Sequence, residues 1–225
     1  MDLSLTALGR QWIGGPLRED VAIGNALPPL GFGPGGLGNA TLGGKTTYYD
    51  ATADGKAVLS INLDEPFFEP MPKDGKVPEG ARVFNCPRAG NFLDRGIRCQ
   101  RYLALDTSGD CGAPVLLVIL DRIEAESPRW ALGLAREAGP IQMDGPTAVA
   151  GSATGANLKA TFIAPANVKL EGGLTATGGK EYFVVLTVQA GVAPEVKVEG
   201  QGSAAKVRIG KRQITFDGQK IVLGE

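Results

Sequence analysis

The densest set of side chains able to grip an anion lies between positions 82 and 102. Arg82, Arg88, Arg95, Arg98 and Arg101 are interleaved there with Asn85, Asn91, Phe84, Phe92 and Tyr102. A guanidinium meets a carboxylate or sulfate with a planar fork of donors, and an aromatic ring offers a face to a sugar or a cation. Read as a strand, Arg98-Cys-Gln-Arg-Tyr102 sets Arg98, Gln100 and Tyr102 on one face and Arg101 on the other. Arg95, Arg98, Arg101 and Tyr102 are the first candidates for holding an acidic glycan. The plainer reading is the solvated outer face of a sheet.

Tyr48 and Tyr49, next to Asp50, offer a phenol for proton transfer and a ring for stacking, or else pack beside a strand. Asp121-Arg122, with Glu124 beyond, follows an apolar run; such a pair can take a sugar carboxylate through a bidentate guanidinium. Its expected role is to end a core strand. Asp50 and Asp54 before Gly55 look like the opening of a calcium loop, but Ile61 stands where a bidentate Glu belongs, so a hairpin turn is expected. No metal or cofactor is expected.

The chain of 225 residues has no histidine. That removes the usual general base near neutral pH and the commonest metal ligand. Ser-His-Asp and Cys-His catalysis are excluded, as are zinc sites that need imidazole. Cys86, Cys99 and Cys111 are too widely spaced for a CxxC motif. One disulfide with one free thiol, or three reduced thiols, both fit.

Net charge is −1 and no long run of one sign occurs, which gives no footprint for nucleic acid or anionic lipid. The longest apolar run, Ala113 to Leu120, is far shorter than the roughly 20 residues of a membrane helix. Neither nucleic acid nor a membrane is an expected partner. The opening residues lack the basic and apolar regions of a secretory signal. Localisation stays open, periplasmic or extracellular if the chain is part of a secreted enzyme.

Strand signals position these residues. Lys56 to Leu63 alternates after Asp54-Gly55, a favoured hairpin dipeptide. Arg98 to Leu105, Val115 to Leu120, Arg129 to Leu134, Leu158 to Ala164, Val168 to Leu170 and Tyr182 to Gln189 follow. Pro128 forbids one long helix through 124–137. The unbroken apolarity of Val115 to Leu120 predicts a strand buried on both faces. From Glu195 on, four short strands, each closed by Gly, predict a meander that completes one sheet. The expectation is an all-β fold, a large two-sheet antiparallel β-sandwich of many short strands. It spans residues 1–225 as a single domain, with a Gly/Pro-rich leading segment and loop at 1–45 and the meander at 195–225. The glycine-rich stretch 31–44 lacks a GK[ST] ending and reads as a surface loop rather than a phosphate cradle.

Taken in order, several stretches resemble the C-terminal β-sandwich of the heparinase II/III-like polysaccharide lyases. They are Ala7-LGRQWIGG, Gly24-Asn25-Ala-Leu27, Ala53-DGKAVLSINLDEPF, Arg101-YLALD, Val115-LLVILDRIEAESPRW, Gly155-ANLKATFIAPANVKLE and Gly210-KRQITFDGQKIVL. The resemblance implies a supersandwich-like fold working beside an α/α toroid, with the catalytic centre in the groove between them. It implies a Tyr, and often Asn and Arg, from the toroid and a His from the sandwich. Some members also carry a metal site with His ligands. This chain has neither toroid nor histidine, and Gly24-Asn25 stands where the family often shows His-Asn, so no catalytic residue carries over. Asn25 remains a candidate contact. The expectation is a non-catalytic module that supports or contacts an acidic polysaccharide, with a toroid in the same or a separate chain. The rivals are a self-contained, His-free β-elimination lyase and a structural or assembly β-protein.

Overall fold

The computed structural model describes residues 3–14, 23–24, 45–62, 69–86, 90–94, 98–124, 129–151, 155–170 and 173–225. Asn25, Arg88, Arg95 and the glycine-rich stretch 31–44 lie outside them.

The chain opens with β1 (Leu5–Ala7), β2 (Arg10–Ile13), β3 (Ile23–Gly24), β4 (Lys45–Ala51), β5 (Lys56–Asn62) and β6 (Glu69–Pro70). Next come β7 (Arg82–Cys86), β8 (Gly90–Asp94), β9 (Arg98–Asp106), β10 (Val115–Glu124) and β11 (Arg129–Leu132). They are followed by β12 (Ile141–Asp144), β13 (Thr147–Gly151), β14 (Ala156–Ala164), β15 (Val168–Leu170), β16 (Leu174–Thr177) and β17 (Glu181–Ala190). The tail holds β18 (Val196–Glu199), β19 (Lys206–Ile209), β20 (Arg212–Phe216) and β21 (Ile221–Gly224).

The centre is an eight-stranded antiparallel sheet in the order β12-β13-β14-β17-β10-β9-β5-β4. Side chains alternate across its pleat, and both faces of its middle are covered. Along β10, Leu117, Ile119 and Ile123 join one core with Trp130, Leu132, Leu174 and Ala176 from the smaller sheet β15-β16-β11-β3. Leu116, Val118 and Leu120 join a second core with Val207, Ile209, Ile214 and Ile221 from the sheet β18-β19-β20-β21. The antiparallel β-sandwich expected from the sequence is present. The tail meander differs from expectation: it forms its own four-stranded sheet and packs as a layer on the free face of the large one. Four short strands with apolar residues on a single face suit a cover better than an extension.

Asp121-Arg122 does not end its strand, because β10 runs on to Glu124 and pairs with β9 throughout. Nor does β11 pair with β10. It lies in the facing sheet, antiparallel to β16 and parallel to β3. The Asp54-Gly55 hairpin joins β4 to β5 as expected, with Gly55 at φ 85°.

The turn from β19 to β20 shows how closely the meander is fitted. Gly210 has φ 56°, and a Cβ there would sit 2.6 Å from the Cys111 carbonyl oxygen and 2.8 Å from that of Asp110. Lys211 N–H donates to the same Asp110 carbonyl at 3.0 Å. Gly210→Ala should therefore cost more than about 1 kcal/mol, through both φ and the clash with rigid backbone. A urea titration beside the parent protein measures it; unchanged stability would contradict this packing.

Candidate functional site

Across four strands of the large sheet, a row of polar residues stands in register: Glu181 on β17, Arg122 on β10, Gln100 on β9 and Asn62 on β5. The neighbouring row on the same face is Phe183, Leu120, Tyr102, Ser60 and Tyr48. The meander seals most of that second row and reaches the polar one only at its end with Glu181 and Arg122, through Ser203 and Phe216. Where the cover ends, two depressions open. One, of about 410 Å³, is lined by Arg98, Gln100, Arg122, Glu124, Lys180 and Glu181. The other, of about 370 Å³, is lined among others by Tyr48, Asn62, Gln100, Tyr102 and Gln219. Gln100 belongs to both, so they adjoin as a single track along the meander's margin.

Hydrogen bonds fix the walls. Arg122 Nε donates to Glu181 Oε1 at 3.0 Å and its Nη2 to Ser203 Oγ at 3.0 Å. Ser203 donates its amide to Glu181 Oε2 at 2.9 Å and its hydroxyl to Oε1 at 2.7 Å. Burial pushes the Glu181 carboxyl up, but Ser203 and the Arg122 guanidinium outweigh it and hold the group below the usual glutamate range. The Arg122 guanidinium lies 4.9 Å over the Phe216 ring, which Tyr102 meets edge-on at 4.6 Å. At the far end, Lys220 donates to the Tyr48 hydroxyl at 2.8 Å, and that bond raises the lysine's pKa. Ser60 donates to the Gln219 carbonyl at 2.8 Å and ties the meander's last turn to β5.

Of the residues singled out from sequence, Arg98, Arg122, Glu124, Tyr102 and Tyr48 line this track. Arg101 does not, and its reading as a binding residue is corrected. It is 1% exposed and lies on the opposite face, where Nε and Nη2 each donate to Asp121 at 2.8 Å. Asp121 Oδ2 also accepts the Trp130 indole N–H at 2.6 Å. Tyr49 is 66% exposed but pairs with Leu59, on the sandwich side of β4, away from Tyr48 and the track. Asn25 and Arg95 fall outside the described residues. Gln100, Asn62, Lys180 and Gln219 were missed, and only Gln100 carried a sequence signal, the parity it shares with Arg98 and Tyr102. Among the described residues no cluster of acidic and sulfur ligands could hold a metal ion. No helix among them is long and apolar enough to cross a membrane.

Fold and site define a layered, all-β chain with an open, donor-rich track at the margin of the meander sheet β18-β19-β20-β21. No protein-family model matches the chain, and no curated protein matches its sequence. Among solved structures, heparan sulfate lyase HepC from Pedobacter heparinus and a mutant of it are distant neighbours, each with a TM-score of 0.45 and 11% identity. The match covers 80% of this chain and 28% of that one, so the chain spans under a third of the lyase's length.

Proposed function

We propose that this chain is a β-sandwich module that contacts an acidic polysaccharide and does not itself cleave it. It works as the C-terminal sandwich does in the heparinase II/III-like lyases that its sequence resembles, beside a toroid in the same or a separate chain. The observation that carries the reading is the track: two adjoining depressions on one face, with Arg98, Arg122 and Lys180 in the first and Tyr48, Tyr102, Asn62 and Gln219 in the second. Cationic donors suit carboxylate or sulfate oxygens, and amides with aromatic rings suit the sugar between them. The sequence has no histidine to serve as a base near neutral pH, and the Glu181 carboxyl on the track is engaged by Arg122 and Ser203 and held below the usual range.

Titration calorimetry with heparan sulfate, polygalacturonate and dextran tests this. Binding to the two polyanions, weakening as salt rises, and none to dextran is the expected pattern. Lys180→Glu should lower polyanion affinity about threefold to tenfold, because an exposed pair contributes modestly and reversal counts twice. Failure of both polyanions to bind removes the contact half of the reading. Release of unsaturated sugar products on prolonged incubation removes the non-catalytic half.

A further inference from the structure

The Tyr102 hydroxyl donates to Oε1 of Gln100 at 2.8 Å, two residues along the same face of β9. An amide side chain has two different ends, and the one left facing solvent decides whether it offers a donor or an acceptor. The direction of this bond follows from its atoms: an amide oxygen has no proton to give, so the phenol donates its single proton and Gln100 Oε1 accepts it. Arg122 stands opposite Gln100 in register and shares the Phe216 ring with Tyr102. Glu181 and Ser203 hold Arg122 in place. Burial raises the Tyr102 pKa and Arg122 offsets this only in part, so the proton is retained through the neutral range.

We infer that Tyr102 is a positioning residue that turns Gln100 so its NH2 group faces the track. The wall shared by the two depressions then presents a run of donors, Arg98, Arg122, Gln100 and Lys180. Of the two carboxylates nearby, Glu181 is engaged by Arg122 and Ser203, and Glu124 stands opposite Arg98 in register. Such a wall selects groups that only accept hydrogen bonds, sulfate and carboxylate oxygens, over sugar hydroxyls. This selection rests on the polysaccharide-contacting function proposed above; the orientation of Gln100 does not.

Tyr102→Phe removes the proton and keeps the ring on Phe216. In the free protein, NMR should show the Gln100 side-chain NH2 without a hydrogen bond to Tyr102 in the parent, and shifted, flip-averaged signals in the variant. A bond from Gln100 Nε2 to the Tyr102 oxygen, or unchanged signals in the variant, overturns the inference. With dextran sulfate and dextran of equal length as probes, the preference for the sulfated chain should fall about tenfold in Tyr102→Phe, the worth of one hydrogen bond to a charged group. Gln100→Met, which leaves Tyr102 in place, should lose the same preference and covers the case in which Tyr102→Phe does not fold. An undiminished preference in either folded variant sinks the selection. If the parent binds no dextran sulfate, the proposed function and the selection fall together, and the NMR signals alone decide the orientation.

Discussion

Replacing Asp121 with alanine should lower the unfolding free energy by about 3–5 kcal/mol, the usual cost of stripping one partner from a buried ion pair. The reason is local. Asp121 is 0% exposed, and its two oxygens receive both donors of the Arg101 fork and the Trp130 indole N–H. Arg101 Nη1 is already buried without an acceptor. Without the carboxylate the whole guanidinium is buried and uncompensated, and the indole N–H is stranded with it. Joint replacement, Arg101→Met with Asp121→Leu, removes the unpaired charge and should recover most of the loss. Urea titrations followed by tryptophan fluorescence decide the matter: equal losses in the single and double variants would show that this account of the pair is wrong. Arg101→Ala would therefore be read as unfolding, and only Arg98 of that pair can report on a ligand.

Arg212→Ala should loosen the meander while leaving the central strands protected. Arg212 is 1% exposed on β20, and it donates to Asp106 Oδ2 at 2.5 Å, Ser108 Oγ at 3.1 Å and Asp110 Oδ2 at 2.5 Å. These three acceptors sit on the end of β9 and the loop after it, so one guanidinium fastens the meander sheet to the large one. Its loss leaves Asp106 buried without its cation, at about 3 kcal/mol or more. Hydrogen exchange should speed up in β19 and β20 and stay slow in β10 and β17; uniform acceleration would mean that the meander does not open as a unit. Acid should act on the same fastening. Burial pushes Asp106 up, but Ser108 and Arg212 outweigh it and hold the group below the ordinary range, as Ser203 and Arg122 do for Glu181. A carboxyl whose folded pKa is depressed stabilises the fold above its unfolded value, about 3.9 for Asp and 4.3 for Glu, and loses that contribution as pH falls through the folded value. Meander protection should thus decline from about pH 4 downward, and Arg212→Ala should flatten the part due to Asp106.

Much of the layering was legible, and the reason is periodicity. Six apolar residues without a break, Val115 to Leu120, predict burial on both sides of β10, and the two cores divide them by parity as the pleat requires. The Asp54-Gly55 hairpin and the four tail strands were readable from turn residues. That the tail makes a separate sheet was not, because hydrogen-bonding partners far apart in sequence leave no local mark. The hairpin of β12 and β13 was passed over although Asp144-Gly145 announces it.

The site was half legible. Arg98 and Arg101 were joined by density along the chain, whereas their odd spacing already put them on opposite faces. The same pleat divides Asp121 from Arg122. Read as a couple, that pair has one member in the sandwich core and the other on the track. Lys180, Asn62 and Gln219 come from strands and turns whose adjacency only the sheet order creates.

The two-sided packing of β10 has a consequence for how this chain can vary. Deleting one residue between Leu116 and Leu120 would shift every later side chain of the strand to the opposite face. Arg122 would enter the apolar interior, Asp121 would face the track, and both interlayer seams would be mismatched at once. Point substitutions there meet a graded penalty, set by volume. Length changes meet an abrupt one, with no partly tolerable intermediate. Lineages of this protein should therefore accept exchanges among Leu, Ile and Val along β10 and keep its residue count fixed.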